Sequence, residues 1–120
     1  MPSAIPWEFY LSDIGRPLFE RELGGLRLNL TEAEKLKKAM ERVSDSSSSP
    51  LEVKSLGRGI WELRVRIDHR IARVLFSPQL VGSCNLALFT GIKKTQKTPP
   101  SWLDIAIDRR KHWLLRQISV

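Results

Sequence analysis

Ile60-Trp61-Glu62-Leu63-Arg64-Val65-Arg66-Ile67 alternates apolar and polar side chains from Trp61 onward. That is the period of a strand with one face buried. Read so, Trp61, Leu63, Val65 and Ile67 face a core, and Glu62, Arg64 and Arg66 share the opposite face. A tight turn at Asp68-His69-Arg70 leads into a second strand over residues 71–77, with Arg73 among Ile71, Ala72, Val74, Leu75 and Phe76. Residues 78–85 read as a turn region, and Leu86-Ala87-Leu88-Phe89-Thr90 as a short buried strand. Three strands joined by turns imply an antiparallel meander.

Upstream of it, Trp7-Glu8-Phe9-Tyr10-Leu11 reads as a first strand. Pro17 is placed for the first turn of a short helix through Leu18, Phe19 and Leu23, and Gly24-Gly25 ends that helix. Thr31-Glu32-Ala33-Glu34 has the capping-box pattern, so a second helix is expected over about residues 32–43, packing through Ala33, Leu36, Met40 and Val43. The Ser-rich stretch 44–50 is expected to be a mobile surface loop. A last helix opens with Ser101 as N-cap and runs to about residue 117. The expected fold is α+β: helices packed on one face of a twisted, mainly antiparallel sheet of about four strands. Residues 1–120 are expected to form a single domain.

Charge divides this chain in two. Residues 1–52 hold seven Lys/Arg and nine Asp/Glu, a balance of −2; residues 53–120 hold thirteen and four, a balance of +9. The formal +7 of the chain therefore lies wholly in its second half. Its densest point is Lys93-Lys94-Thr95-Gln96-Lys97-Thr98-Pro99, with three cations and no acid. Such a stretch is suited to a polyanion, and nucleic acid is the first partner to consider. A composition of 42% hydrophobic and 28% charged residues is that of a folded soluble domain. The start of the chain lacks the pattern of a secretory signal, and no apolar run approaches the roughly 20 residues of a membrane span. A cytoplasmic protein is expected.

Other chemistries are poorly supplied. Cys84 is the only cysteine, which excludes an internal disulfide; in Gly82-Ser83-Cys84-Asn85 it reads as a small half-buried thiol. His69 and His112 have no second His or Cys at ligand spacing, so neither a metal nor a cofactor is expected. Asp104 and Asp108 are placed for the start of the last helix, where carboxylates are favoured anyway. The basic residues fit phosphate chemistry better. Arg64 and Arg73, on strands joined by a turn, can converge on one sheet face beside Lys93, Lys94 and Lys97. Preorganised cations stabilise the charge that builds on phosphorus oxygens when RNA is cleaved through its own 2′-hydroxyl. Arg73, set among apolar residues, needs a partner or an anion to meet; the structural alternative to an anion is a buried ion pair, with Glu62 the nearest candidate.

Trp61-Glu62-Leu63-Arg64, Arg73-Val74-Leu75-Phe76 and Lys93-Lys94-Thr95-Gln96-Lys97-Thr98-Pro99, in that order, resemble the HigB-like branch of the RelE/ParE toxin superfamily. The resemblance covers roughly residues 7–115. It implies a small α+β toxin that cuts ribosome-engaged messenger RNA without a metal. It also implies a cognate antitoxin, often a helix-turn-helix protein of the HigA type, that neutralises the toxin and represses their promoter. Carried over by position, Arg64, Arg73, Lys93 or Lys94, and Lys97 match the family's basic positions, and Arg64, Arg73, Lys93 and Lys97 are the catalytic candidates. Arg66, Lys94, Gln96, His69 and Arg70 are expected as RNA contacts. Two departures stand out: Glu62 occupies a position where RelE has a lysine, and Tyr10 is the only tyrosine, so none follows the basic loop. A ParE-type gyrase poison and a non-catalytic nucleic-acid or partner-binding module are the alternatives.

Overall fold

The structure is a computed structural model that describes residues 4–80 and 84–118, with the side chain of Gln79 excepted. Its elements run β1 (Trp7–Phe9), α1 (Leu18–Gly25), α2 (Leu30–Ser44), β2 (Val53–Gly57), β3 (Ile60–Ile67), β4 (Arg70–Leu80), β5 (Cys84–Lys93) and α3 (Pro100–Ile118). They build one five-stranded sheet in the order β1-β5-β4-β3-β2. β1 pairs with β5 in parallel and every other pairing is antiparallel. The expected α+β class and the meander are present.

Several local expectations change. β2 is a fifth strand that the sequence reading missed: only Val53 and Leu56 are half-buried, and a register shift between Ser55 and Gly57 breaks its alternation. β4 continues past Ser77, through Pro78, to Leu80. Proline cannot donate to a ladder, and the pairing with β5 shifts register between Ser77 and Leu80, where it does not have to. Cys84 and Asn85 belong to β5 rather than to a turn, while Gly82 and Ser83 lie outside the described residues.

Asn29, not Thr31, caps α2. Its side chain accepts from Glu32 N–H at 2.8 Å, and Glu32 Oε1 accepts from Asn29 N–H at 2.9 Å. This is the same reciprocal capping logic, two residues earlier. α3 begins at Pro100, one residue before the expected cap. The 44–50 segment is cross-linked: Ser47 N–H donates to Arg42 O at 2.8 Å, and Arg42 Nη2 meets Glu52 Oε1 at 2.6 Å.

Helices cover both faces of the sheet, not one. The indole N–H of Trp7 donates to Met40 O of α2 at 2.8 Å, and its ring meets Phe76 edge-on at 5.1 Å. Phe76 pairs across the ladder with Trp61, so α2 lies on the face that carries Trp61, Leu63, Val65 and Ile67. α1 joins it there through Phe19, which stacks on Phe9 at 5.4 Å. The opposite row lies under α3: Trp102 rests against Gly91, and Arg110 Nε donates to Ser77 Oγ at 3.0 Å. Leu36, Ala39, Leu63, Val65 and Phe19 close the first side as a dry core. Trp61, expected in that core, is 37% exposed at its margin, beside Val43 and Val53. Among the described residues no helix is long and apolar enough to cross a membrane.

Candidate active site

Ladder register sets the site. Glu62, Arg64 and Arg66 of β3 stand in line with Leu75, Arg73 and Ile71 of β4, and these with Phe89, Gly91 and Lys93 of β5. Arg64 and Arg73 are therefore direct cross-strand partners, as their convergence on one face required. Like charges opposed across a ladder repel. Glu62 resolves the conflict from two residues along β3. Its Oε1 is 2.8 Å from Arg64 Nε and its Oε2 is 3.5 Å from Arg73 Nε. One carboxylate thus serves two guanidinium groups.

This triad is not a surface cluster. The side chains of Glu62 and Arg73 are 0% exposed and that of Arg64 is 19% exposed. Glu62 attracts both arginines as a charge, but its Oε1 and the Nε atoms of Arg64 and Arg73 lack hydrogen-bond alignment. Burial pushes the Arg73 guanidinium down from its ordinary value; Glu62 opposes that shift and Arg64 reinforces it.

What covers the triad is the basic segment itself. Arg73 Nη2 donates to Thr95 O, and Arg64 Nη2 donates to Gln96 O. The Thr98 hydroxyl donates to Glu62 Oε2. The loop between β5 and α3 is thereby folded back onto the sheet, with its main chain turned inward. Lys93, Lys94, Gln96 and Lys97 are left exposed.

Gly91 and Trp102 complete the support. A Cβ on Gly91 would lie 2.5 Å from Trp102 Cη2, so the indole takes the space that any other residue would fill. Trp102 also packs on Phe89 at 5.2 Å, and Lys93 Nζ lies 5.7 Å from its ring centroid. This is a packing role with a cation–π contact, and it leaves the ring engaged on the protein side.

The sequence candidates divide into two groups. Arg66 and Lys93 occupy one cross-strand row, about 10 Å apart as two strand spacings require. His69, exposed, and Arg70, half-buried, lie at the β3–β4 turn at that same end of the sheet. Lys94 and Lys97 follow on the tied loop. Arg73 is the correction. It was expected to touch phosphate, yet it is enclosed and committed to Glu62 and the Thr95 carbonyl, because α3 and the loop close over its row.

The rest of the positive excess is dispersed. Arg109 pairs with Glu22 at 2.7 Å, and Arg116 donates to Leu11 O at 2.8 Å. His112 stands 3.8 Å from Asp108 on the exposed side of α3. Burial, with Glu8 adding to it, pushes the Cys84 thiol up, away from nucleophilic use. Among the described residues no group of three His, Cys, Asp or Glu side chains could hold a metal ion. Sequence reasoning had no role for Thr98 or Gly91. The only signals were a hydroxyl before a Pro-Pro pair and a glycine inside a strand.

Residues 26–111 match the family described as phage derived protein Gp49-like (DUF891). A protein named "Probable endoribonuclease HigB1", from two strains of Mycobacterium tuberculosis, is 32% identical over 114 residues, covering 93% of this chain and 88% of the relative. With a family match across most of its length, a relative similar nearly end to end and an α+β fold of the expected kind, the chain belongs to the phage-derived Gp49-like family, a RelE/HigB-type toxin family.

Proposed function

We propose that this chain is the toxin of a toxin–antitoxin pair and acts as a metal-independent endoribonuclease on ribosome-engaged messenger RNA in the cytoplasm. The observation that carries this reading is the loop of Lys93, Lys94 and Lys97, tied over a buried Glu62–Arg64–Arg73 network beside Arg66. Support from outside the geometry is the similarity to a protein named as a probable endoribonuclease.

In this reading the 2′-oxygen of one nucleotide attacks the adjacent phosphorus. The P–O5′ bond breaks, giving a 2′,3′-cyclic phosphate and a 5′-hydroxyl. Lys93, Lys97 and the exposed edge of Arg64 meet the extra negative charge of the five-coordinate transition state. Arg66, Lys94, Gln96, His69 and Arg70 hold flanking phosphates or bases, and Arg73 acts at one remove by fixing the loop backbone. Arginine does not exchange protons in this range, so proton transfer falls to lysine, His69 or water. The antitoxin, a helix-turn-helix protein, would neutralise the toxin by covering the basic end.

The test is induced expression with mapping of messenger RNA 5′ ends. Wild type should create new ends within translated regions and arrest growth. A Lys93→Ala, Lys97→Ala double variant should lose at least about 100-fold of that cleavage, the scale for removing charge stabilisation. Identical end patterns and identical growth for the two proteins would overturn the reading. DNA breaks with intact messenger RNA would transfer it to a gyrase poison.

A further inference from the structure

We propose that Glu62 and Thr98 are positioning residues for the cationic loop, holding Lys93, Lys94 and Lys97 in one arrangement before RNA arrives. The geometry points to this because three ties converge on residues 95–98, and all three depend on Glu62. Its carboxylate accepts from Thr98 directly. It also neutralises Arg73 and Arg64, whose remaining N–H groups hold the Thr95 and Gln96 carbonyls. Without that carboxylate, two opposed guanidinium groups would repel each other beneath the loop.

The fold isolates this function from folding itself. The loop is anchored at one end by β5, which pairs with β4 up to Lys93, and at the other by α3, whose Trp102 is seated on Gly91. Loosening residues 94–98 leaves both anchors in place. The loop would then sample many arrangements, of which RNA could use a few. A site with only a fraction of its molecules competent binds more weakly in proportion to that fraction. Once saturated with RNA, the loop is ordered and turnover is restored.

Thr98→Val removes the hydroxyl while keeping the shape, and Thr98→Ser keeps the hydroxyl. Trypsin is the direct probe, since three of its cleavage points, Lys93, Lys94 and Lys97, lie in or beside the loop. Cleavage after these residues, followed by mass spectrometry, should accelerate about tenfold in Thr98→Val, the factor expected from one lost hydrogen bond to a charged group. Thr98→Ser should return it to the wild-type rate, with thermal unfolding of all three proteins within a few degrees, as small ΔΔG implies. The RNA measurement rests on the endoribonuclease reading: KM should rise about tenfold in Thr98→Val with kcat within about twofold.

Unchanged tryptic rates in Thr98→Val would overturn the proposal. So would a fall in kcat at constant KM with a lowered Tm, which is the pattern of a merely structural residue. If wild type cleaves no RNA, the proposed function fails while the tryptic comparison still decides the role of Thr98.

Discussion

Under α2 the sheet shows Leu63, Val65 and Ile67, each at most 5% exposed and surrounded by carbon. Under α3, one residue along the same strand, it shows Glu62 and Arg64, with Arg73 opposite. Both faces are buried, but different forces hold them. The apolar face gains from area removed from water, roughly 1.5–3 kcal/mol for each large side chain, and its contacts are interchangeable within limits of volume. On the polar face, desolvation of three charges is offset only while all three are present. The first face can lose a methylene and keep its character. The second cannot lose a partner.

The largest effect should come from breaking the polar face on one side only. Glu62→Ala leaves Arg73 enclosed without its counter-charge and should destabilise the fold by about 3–5 kcal/mol in urea unfolding. Replacing both partners, Glu62→Leu with Arg73→Met, should recover most of that loss while tryptic cleavage of the loop stays fast, because the ties to Thr95 and Thr98 are still missing. Equal instability of the single and double variants would erase the contrast between the faces. Leu63→Ala on the apolar face should cost about 3 kcal/mol by transfer and cavity terms, yet leave cleavage per folded molecule within about twofold.

Gly91→Ala sits between the two cases. The added methyl meets Trp102 rather than solvent, so overpacking of about 1–3 kcal/mol is expected, together with faster tryptic cleavage in the adjoining loop. Asn29→Ala removes the α2 cap for about 1 kcal/mol and should leave tryptic cleavage at 93–97 unchanged.

The smallest effect is a pH dependence. The side-chain hydrogen bond from Arg42 holds the Glu52 carboxyl below its ordinary range. A lowered folded-state value means that this stabilisation is complete above the unfolded carboxylate pKa and is lost as pH falls through the folded one. Because the pair is partly exposed, the gain should be slight. The Tm difference between wild type and Glu52→Gln should be measurable at neutral pH and vanish in acid.

Much of the site was legible before any coordinates. Strict alternation in β3, a lone arginine in an apolar strand and three lysines before a proline pair each carry a local physical meaning. Opposite placement of Arg64 and Arg73 followed from two strands and a short turn. The ion pair with Glu62 was the alternative to a bound anion for a charge in that setting, and the structure forms it. The misses have separate causes. β2 is an edge strand whose bulge breaks the period, and Asn29 competed with an equally good Thr31 pattern two residues on. Trp61 has the right parity for the core but stands beyond the cover that α2 provides.

Local chemistry along the chain determined the three meander strands, where the positive charge accumulates and which family the motifs resemble. Tertiary structure alone decided that α3 closes the second face and that Arg73 is enclosed. It also decided that Thr98 ties the loop to Glu62 across 36 positions of sequence. The reason is that periodicity reports which side of a strand a residue occupies, whereas burial depends on what a distant segment lays over that side.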